Sequence, residues 1–264
     1  MLKRTMLARL AATLILAGCL VPSAREAVAA DTVVFRDDGR PTWQQLFRLV
    51  GQTCNRVARA GPALRVTSCP HSAAGSKVAM VWALPSVAAA AFRVEFTYTH
   101  HTASRPPQGD TVTALMLLAS GDGTAGRPAD VTRWGAQCCA GPTHPTTGYA
   151  HHMRGLQLNF AYRFDARGND FVRLRALKGA ADDYEQIGEA ADVPIADGRA
   201  YRFTVVRAGA TLNVTIRDNV TGTTRTLAAT HPYIGGLGAG WVGVRQMAGR
   251  SSSIAGLRVT STGG

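Results

Sequence analysis

Over much of the chain, apolar and polar residues alternate one for one. In the stretch 92–98, Phe92, Val94, Phe96 and Tyr98 fall on one side and Arg93, Glu95 and Thr97 on the other. Successive strand side chains point to opposite faces, so a period of two predicts a half-buried β-strand. Segments 31–35, 64–67 and 77–85 read as strands on similar grounds. Segment 111–119 is nearly all apolar, which predicts a central strand buried on both faces. Segments 156–163 and 171–178 are joined by turn residues at 165–170, including Gly168-Asn169. Segments 201–206 and 211–217 form a second hairpin around Ala208-Gly209, and 224–228 continues from it. At the far end, two strand patterns between Gly240 and Val259 flank a break at 249–252, which reads as a closing hairpin.

Two stretches depart from this pattern. In segment 42–50, Trp43, Leu46, Phe47 and Val50 sit at helical spacing and predict a short helix. Segment 120–147, rich in Gly, Pro, Thr and Asp, reads as a long ordered loop that holds Trp134, Cys138 and Cys139. About a dozen short strands with turn chemistry between them and almost no helix predict an all-β, antiparallel two-sheet sandwich. No internal repeat or domain break interrupts 31–264, which reads as one domain.

The N-terminal 30 residues change the compartment. Lys3, Arg4 and Arg9 precede an apolar run from Leu10 to Leu20, too short to span a bilayer and typical of an export signal. Two processing sites compete. Leu16-Ala17-Gly18-Cys19 matches a lipobox in which Cys19 is lipidated. The small residues Ala27 to Ala30 offer a cleavage site releasing a soluble protein near Asp31. Either route predicts an exported protein: periplasmic, held at the outer membrane as a lipoprotein, or extracellular. Membrane contact is expected only through that lipid anchor.

Composition adds two constraints. Hydrophobic residues make up 46% of the chain, enough for a proper core. The formal net charge is +12, and the only lysines are Lys3, Lys77 and Lys178. Arginine pairs carboxylate or sulfate in bidentate fashion, so the balance favours anionic ligands. Nucleic acid is not expected, because the arginines are scattered and no helix-turn-helix, zinc finger or basic tail is present. Four cysteines follow the signal, and an even number in an exported chain predicts disulfides. Cys54 and Cys69 are the nearest non-adjacent pair. Closing that loop should contribute about 3 kcal/mol. The pairing of Cys138 and Cys139 stays open.

The order of these patterns carries a resemblance. The closing "G-x-(I/V)-G-(I/V)-R … I-x-x-(L/F)-R-V" and the early "W-a-L-P … F-R-V-E-F-x-Y" resemble the concanavalin A-like lectin/glucanase superfamily. Tyr149 to Phe160 ("Y-x-x-H-M-R-G-L-Q-L-N-F") and Tyr201 to Gly209 ("Y-R-F-T-V-V-R-x-G") look like secreted bacterial domains of that superfamily associated with polysaccharide degradation. The resemblance implies a jelly-roll sandwich with ligand on the concave face of one sheet.

It also frames the chemistry. Retaining glycosidases of the superfamily carry E-x-D-x-E, a carboxylate pair about 5 Å apart. No such motif is present: Glu95 stands alone, and Asp182, Asp183, Glu185 and Glu189 read as loop. Polysaccharide lyases of this fold instead neutralise a uronate carboxylate with Arg or an amide and remove a proton with His or Tyr. Those residue types gather at Tyr149, His151, His152 and Arg154, ahead of a strand whose polar face shows Gln157, Asn159 and Arg163. The lyase motifs Q-x-H and Y-x-K-x-G are absent. The candidate catalytic residues are Tyr149, His151 and His152. The candidate ligand-binding residues are Asn159, Arg163, Arg173, Arg175, Arg245 and Trp134. Adjacent strand residues face opposite ways, so His100-His101 and His151-His152 can each give one ligand to a metal site, and no metal or other cofactor is assigned; structural calcium has no support in the sequence. A sugar-binding protein for an anionic polysaccharide is the leading expectation, followed by a uronate lyase and then a structural envelope protein without a sugar ligand.

Overall fold

The computed structural model describes residues 31–51, 54–68, 78–83, 87, 90–101, 111–120, 154–161, 170–178, 184–191, 193–247 and 251–262. Fifteen strands are seen among them: β1 (Thr32–Arg36), β2 (Phe47–Gly51), β3 (Arg56–Ala60), β4 (Ala63–Thr67), β5 (Val78–Ala83), β6 (Ala91–His101), β7 (Thr111–Ser120), β8 (Arg154–Ala161), β9 (Phe171–Lys178), β10 (Tyr184–Ala191), β11 (Ala200–Ala208), β12 (Thr211–Asp218), β13 (Thr224–Thr230), β14 (Trp241–Met247) and β15 (Ser251–Ser261). One helical turn, α1 (Pro232–Gly235), follows β13. All pairings are antiparallel. One sheet of eight strands runs β13-β12-β11-β6-β15-β4-β3, with β1 alongside β15. The other, of seven, runs β10-β9-β8-β7-β14-β5-β2.

The two sheets face each other across one core, and the alternation read from sequence decides which side chains enter it. Phe92, Val94, Phe96 and Tyr98 of β6 are buried, as are Leu156, Leu158 and Phe160 of β8. Phe160 stacks on Tyr98 with ring centroids 4.7 Å apart and meets Phe203 edge-on at 4.8 Å. Those three rings bridge the sheets. Aromatic pairs in such geometries add about 0.5–1.5 kcal/mol beyond their buried area.

Three expectations are corrected. The predicted helix at 42–50 is a single 3-10 turn, Trp43–Gln45, running into β2. Pairing with β5 from Phe47↔Ala83 to Gly51↔Ala79 outweighs the helical spacing. Tertiary pairing routinely overrides such weak local preferences. The stretch holding Glu185 and Glu189, expected as loop, is strand β10 at a sheet edge. Its sequence is polar because it packs on one side only, and a bulge between Gln186 and Gly188 breaks its alternation. The closing hairpin is not a hairpin. β14 lies in the seven-stranded sheet and β15 in the eight-stranded one, and Ser251 and Ser252 belong to β15. The chain therefore crosses between sheets at the break.

Candidate functional site

The face of the seven-stranded sheet turned away from the core carries the candidate site. β8 points Leu156, Leu158 and Phe160 inward, so Gln157 and Asn159 point outward. In β9, Val172 and Leu174 enter the core and Arg173 and Arg175 take the other face. The expected pairing of these two strands is present: Asn159 stands opposite Arg173, and Gln157 opposite Arg175. On the other side of β8, Asn159 pairs with Ala114 of β7, which pairs in turn with Arg245 of β14. One row thus reads Glu189, Arg173, Asn159, Ala114, Arg245 across five strands. The adjacent row reads Gln186, Arg175, Gln157, Met116, Gly243. Neighbouring strands are about 4.8 Å apart, so the tract from Arg173 to Arg245 spans about 14 Å.

This face is not an ordinary solvated surface. Gln157 and Asn159 are each 1% exposed, Arg245 2% and Arg175 8%. Asn159 Nδ2 donates a long bond, 3.5 Å, to Gln157 Oε1. Among the described residues, Gln157 Nε2 and Asn159 Oδ1 have no hydrogen-bond partner. A buried polar atom without a partner is destabilising by about 1–3 kcal/mol, so most are satisfied and an exception calls for an explanation. Here one unpaired donor and one unpaired acceptor lie side by side among three arginines. Arg173 is the more accessible cation. It gives Nε to Glu189 Oε2 at 2.7 Å and lies 3.8 Å over the Phe171 ring, and Gln186 Nε2 donates to the same carboxylate oxygen at 2.9 Å.

Of the residues picked out from sequence, Asn159, Arg173, Arg175 and Arg245 share one outer face, Asn159 at its centre. Tyr149, His151, His152, Arg163, Trp134, Cys19 and Cys69 lie outside the described residues. Gln157 joins the site although the sequence places it only on the polar face; its parity with Asn159 is the signal that marks it. Glu189 joins it from β10, whose polar sequence hides the strand. Glu95 faces Arg202 at 3.4 Å on the other sheet. His100 and His101 do point apart. His100 is buried with Nδ1 3.2 Å from Tyr98 Oη, and His101 Nε2 lies 2.8 Å from Ser253 Oγ on the outer side. Among the described residues no group of three His, Cys, Asp or Glu gathers into a metal site. Trp241 of β14 is 7% exposed.

No protein-family model and no curated protein matches the chain. Solved structures do. A Bacillus subtilis protein with a galectin-like fold superposes with a TM-score of 0.58 at 16% identity, over 88% of this chain and 97% of that one. Peanut lectin gives 0.57 at 14%, over 89% and 98%. Basic winged bean lectin, solved with Tn-antigen, gives 0.56 at 11%, over 89% and 100%. Likeness at this level of identity speaks for architecture, and it agrees with the strand order and antiparallel pairing: the chain folds as a concanavalin A-like two-sheet sandwich.

Proposed function

We infer that this protein is an exported carbohydrate-binding protein whose ligand is an anionic polysaccharide, held on the outer face of the seven-stranded sheet. The observation that carries this reading is the Gln157–Asn159 amide pair. Among the described residues it has one unpaired donor and one unpaired acceptor, and it stands in register with Arg173, Arg175 and Arg245. Sugar hydroxyls both donate and accept, which suits the amides, and a uronate carboxylate suits the guanidinium groups. The lectin architecture of the structural neighbours supports sugar as the ligand class. The positive net charge of +12 supports the anionic one.

The test is calorimetric titration of the full chain with a uronate oligosaccharide. Arg173→Ala should weaken binding at least about tenfold, or roughly 1.4 kcal/mol, and the affinity should fall with added salt. Unchanged affinity would move the site elsewhere. Lyase activity is the second reading, favoured by the placing of arginines and an amide on one face. It requires ultraviolet-absorbing unsaturated product that His151→Ala or His152→Ala abolishes while binding persists.

Export and a Cys54–Cys69 disulfide belong to the same proposal. The hairpin register supports the pairing. Arg56 stands opposite Thr67 at the open end of the β3–β4 hairpin, and in the sequence Cys54 lies two residues before Arg56 and Cys69 two residues after Thr67.

A further inference from the structure

The opposite side of the sandwich carries a second feature. Seven strands of the eight-stranded sheet each turn one exposed arginine outward: Arg36, Arg56, Arg65, Arg93, Arg202, Arg217 and Arg258. Among the described residues, Glu95 is the only carboxylate on the strands of that face. It is engaged with Arg202 at 3.4 Å and stands opposite Arg258. Asp38 at the rim is taken by Arg40 at 2.6 Å.

The arrangement is costly in isolation. Arg202 is directly opposite Arg217, and Arg36 directly opposite Arg258. Like charges in opposed strand positions are destabilising. Two such pairs flank a single glutamate; Arg36, Arg202 and Arg258 also line a cleft of about 410 Å³, where Glu95, Asp37 and Asp38 balance their charge. Folding alone gains nothing from this pattern. An external array of negative charge would relieve it.

The layout indicates the shape of that array. Arg93 lies at the start of β6, whereas Arg56 is level with His101 at its other end. These levels are eight residues, or about 27 Å, apart, and the arginines spread over five strand intervals, or about 24 Å, from β12 to β3. A single polymer strand would follow one line. These positions fill an area. Val33 and Val220 are the exposed large hydrophobic residues among those described, so the described strands of this face present no apolar wedge to insert.

We propose that the outer face of the eight-stranded sheet docks electrostatically, without insertion, on an anionic phospholipid surface. This is independent of the sugar site on the opposite face.

Vesicle co-sedimentation of the full chain tests it, using phosphatidylglycerol/phosphatidylcholine vesicles against pure phosphatidylcholine. Binding should require the anionic lipid and fall steeply as salt rises. Each arginine near such a surface strengthens binding roughly fivefold. Arg36→Thr/Arg93→Thr/Arg217→Thr/Arg258→Thr should therefore lose at least about a hundredfold. It should stay folded, since threonine suits strands and two like-charge pairs disappear. Arg154→Thr/Arg225→Thr, which removes charge off this face, should bind within about threefold of its expected net-charge effect. No binding to anionic vesicles at low salt, equal binding by the quadruple variant, or an equal loss in the control pair overturns the proposal. Tighter binding per phosphate to soluble polyphosphate than to vesicles also overturns it, in favour of a linear polyanion. Uronate titration of the quadruple variant separates the two faces, because sugar binding should persist.

Discussion

Replacing both buried amides by apolar residues of similar shape, Gln157→Met/Asn159→Leu, should stabilise the protein and abolish sugar binding together. Gln157 Nε2 and Asn159 Oδ1 are buried without partners among the described residues, and each is destabilising by about 1–3 kcal/mol. The double change removes both penalties. Against this stand the loss of one 3.5 Å bond between the two side chains, at the weak end of about 0.5–1.5 kcal/mol, and a repacking loss below about 1.5 kcal/mol. With the full repacking loss, the expected balance runs from about zero to a gain of about 4 kcal/mol. With a urea m-value of about 2–3 kcal/mol/M, a gain near 2 kcal/mol raises the midpoint by close to 1 M. The single variant Asn159→Leu should be less stable than the double, because it leaves Gln157 Oε1 stranded as well as Nε2, and a double-mutant cycle reads that coupling. A fall of more than about 1 kcal/mol in the double variant would refute the reasoning. It would mean that the two amides are satisfied in the folded protein and serve its structure. A gain in stability with sugar affinity intact would dissociate the amides from the site.

Gly240 meets Val87 through two backbone bonds of 2.7 and 3.0 Å, and a Cβ there would come 2.3 Å from the Leu118 carbonyl carbon. Gly240→Ala should cost about 3–5 kcal/mol by urea denaturation, combining overpacking with the loss of that bridge. Gly238→Ala, with open space around it, should stay within about 0.5 kcal/mol. Phe160→Ala removes the ring shared by Tyr98 and Phe203 and should cost about 3–5 kcal/mol, measured the same way. Burial works against ionisation of Asp218, but Arg199 and the donors of Val220 and Thr221 outweigh it and hold its carboxyl at about 2, below the usual 3.8. Its folded pKa is depressed, so its contribution is full above about pH 4–5 and is lost as pH falls through about 2. The stability gap between wild type and Asp218→Asn should therefore close across that window, and a gap independent of pH would exclude the ion pair as its source.

What the sequence determined by itself is local. A period of two is a property of neighbouring residues, so β6, β8, β9, β11 and β12 and their inward faces are legible in the order of residues alone. So are the all-β class and the partnership of Asn159 with Arg173 and Arg175 through one hairpin. The tertiary structure decided what depends on distant partners. β2 is a strand because β5 pairs with it, despite helical spacing at Trp43, Leu46, Phe47 and Val50. β10 is a strand because β9 offers it an edge, although its own residues are polar. β14 and β15 read as a hairpin, yet they part into opposite sheets, because each finds better neighbours there than in the other. That separation places Arg245 in the row of Asn159 and Arg258 on the opposite face. The burial of Gln157 and Asn159, and the gathering of seven arginines from seven strands, likewise arise only when the sheets assemble. Alternation shows that a side chain leaves the core; it does not show which other residues share the face it joins.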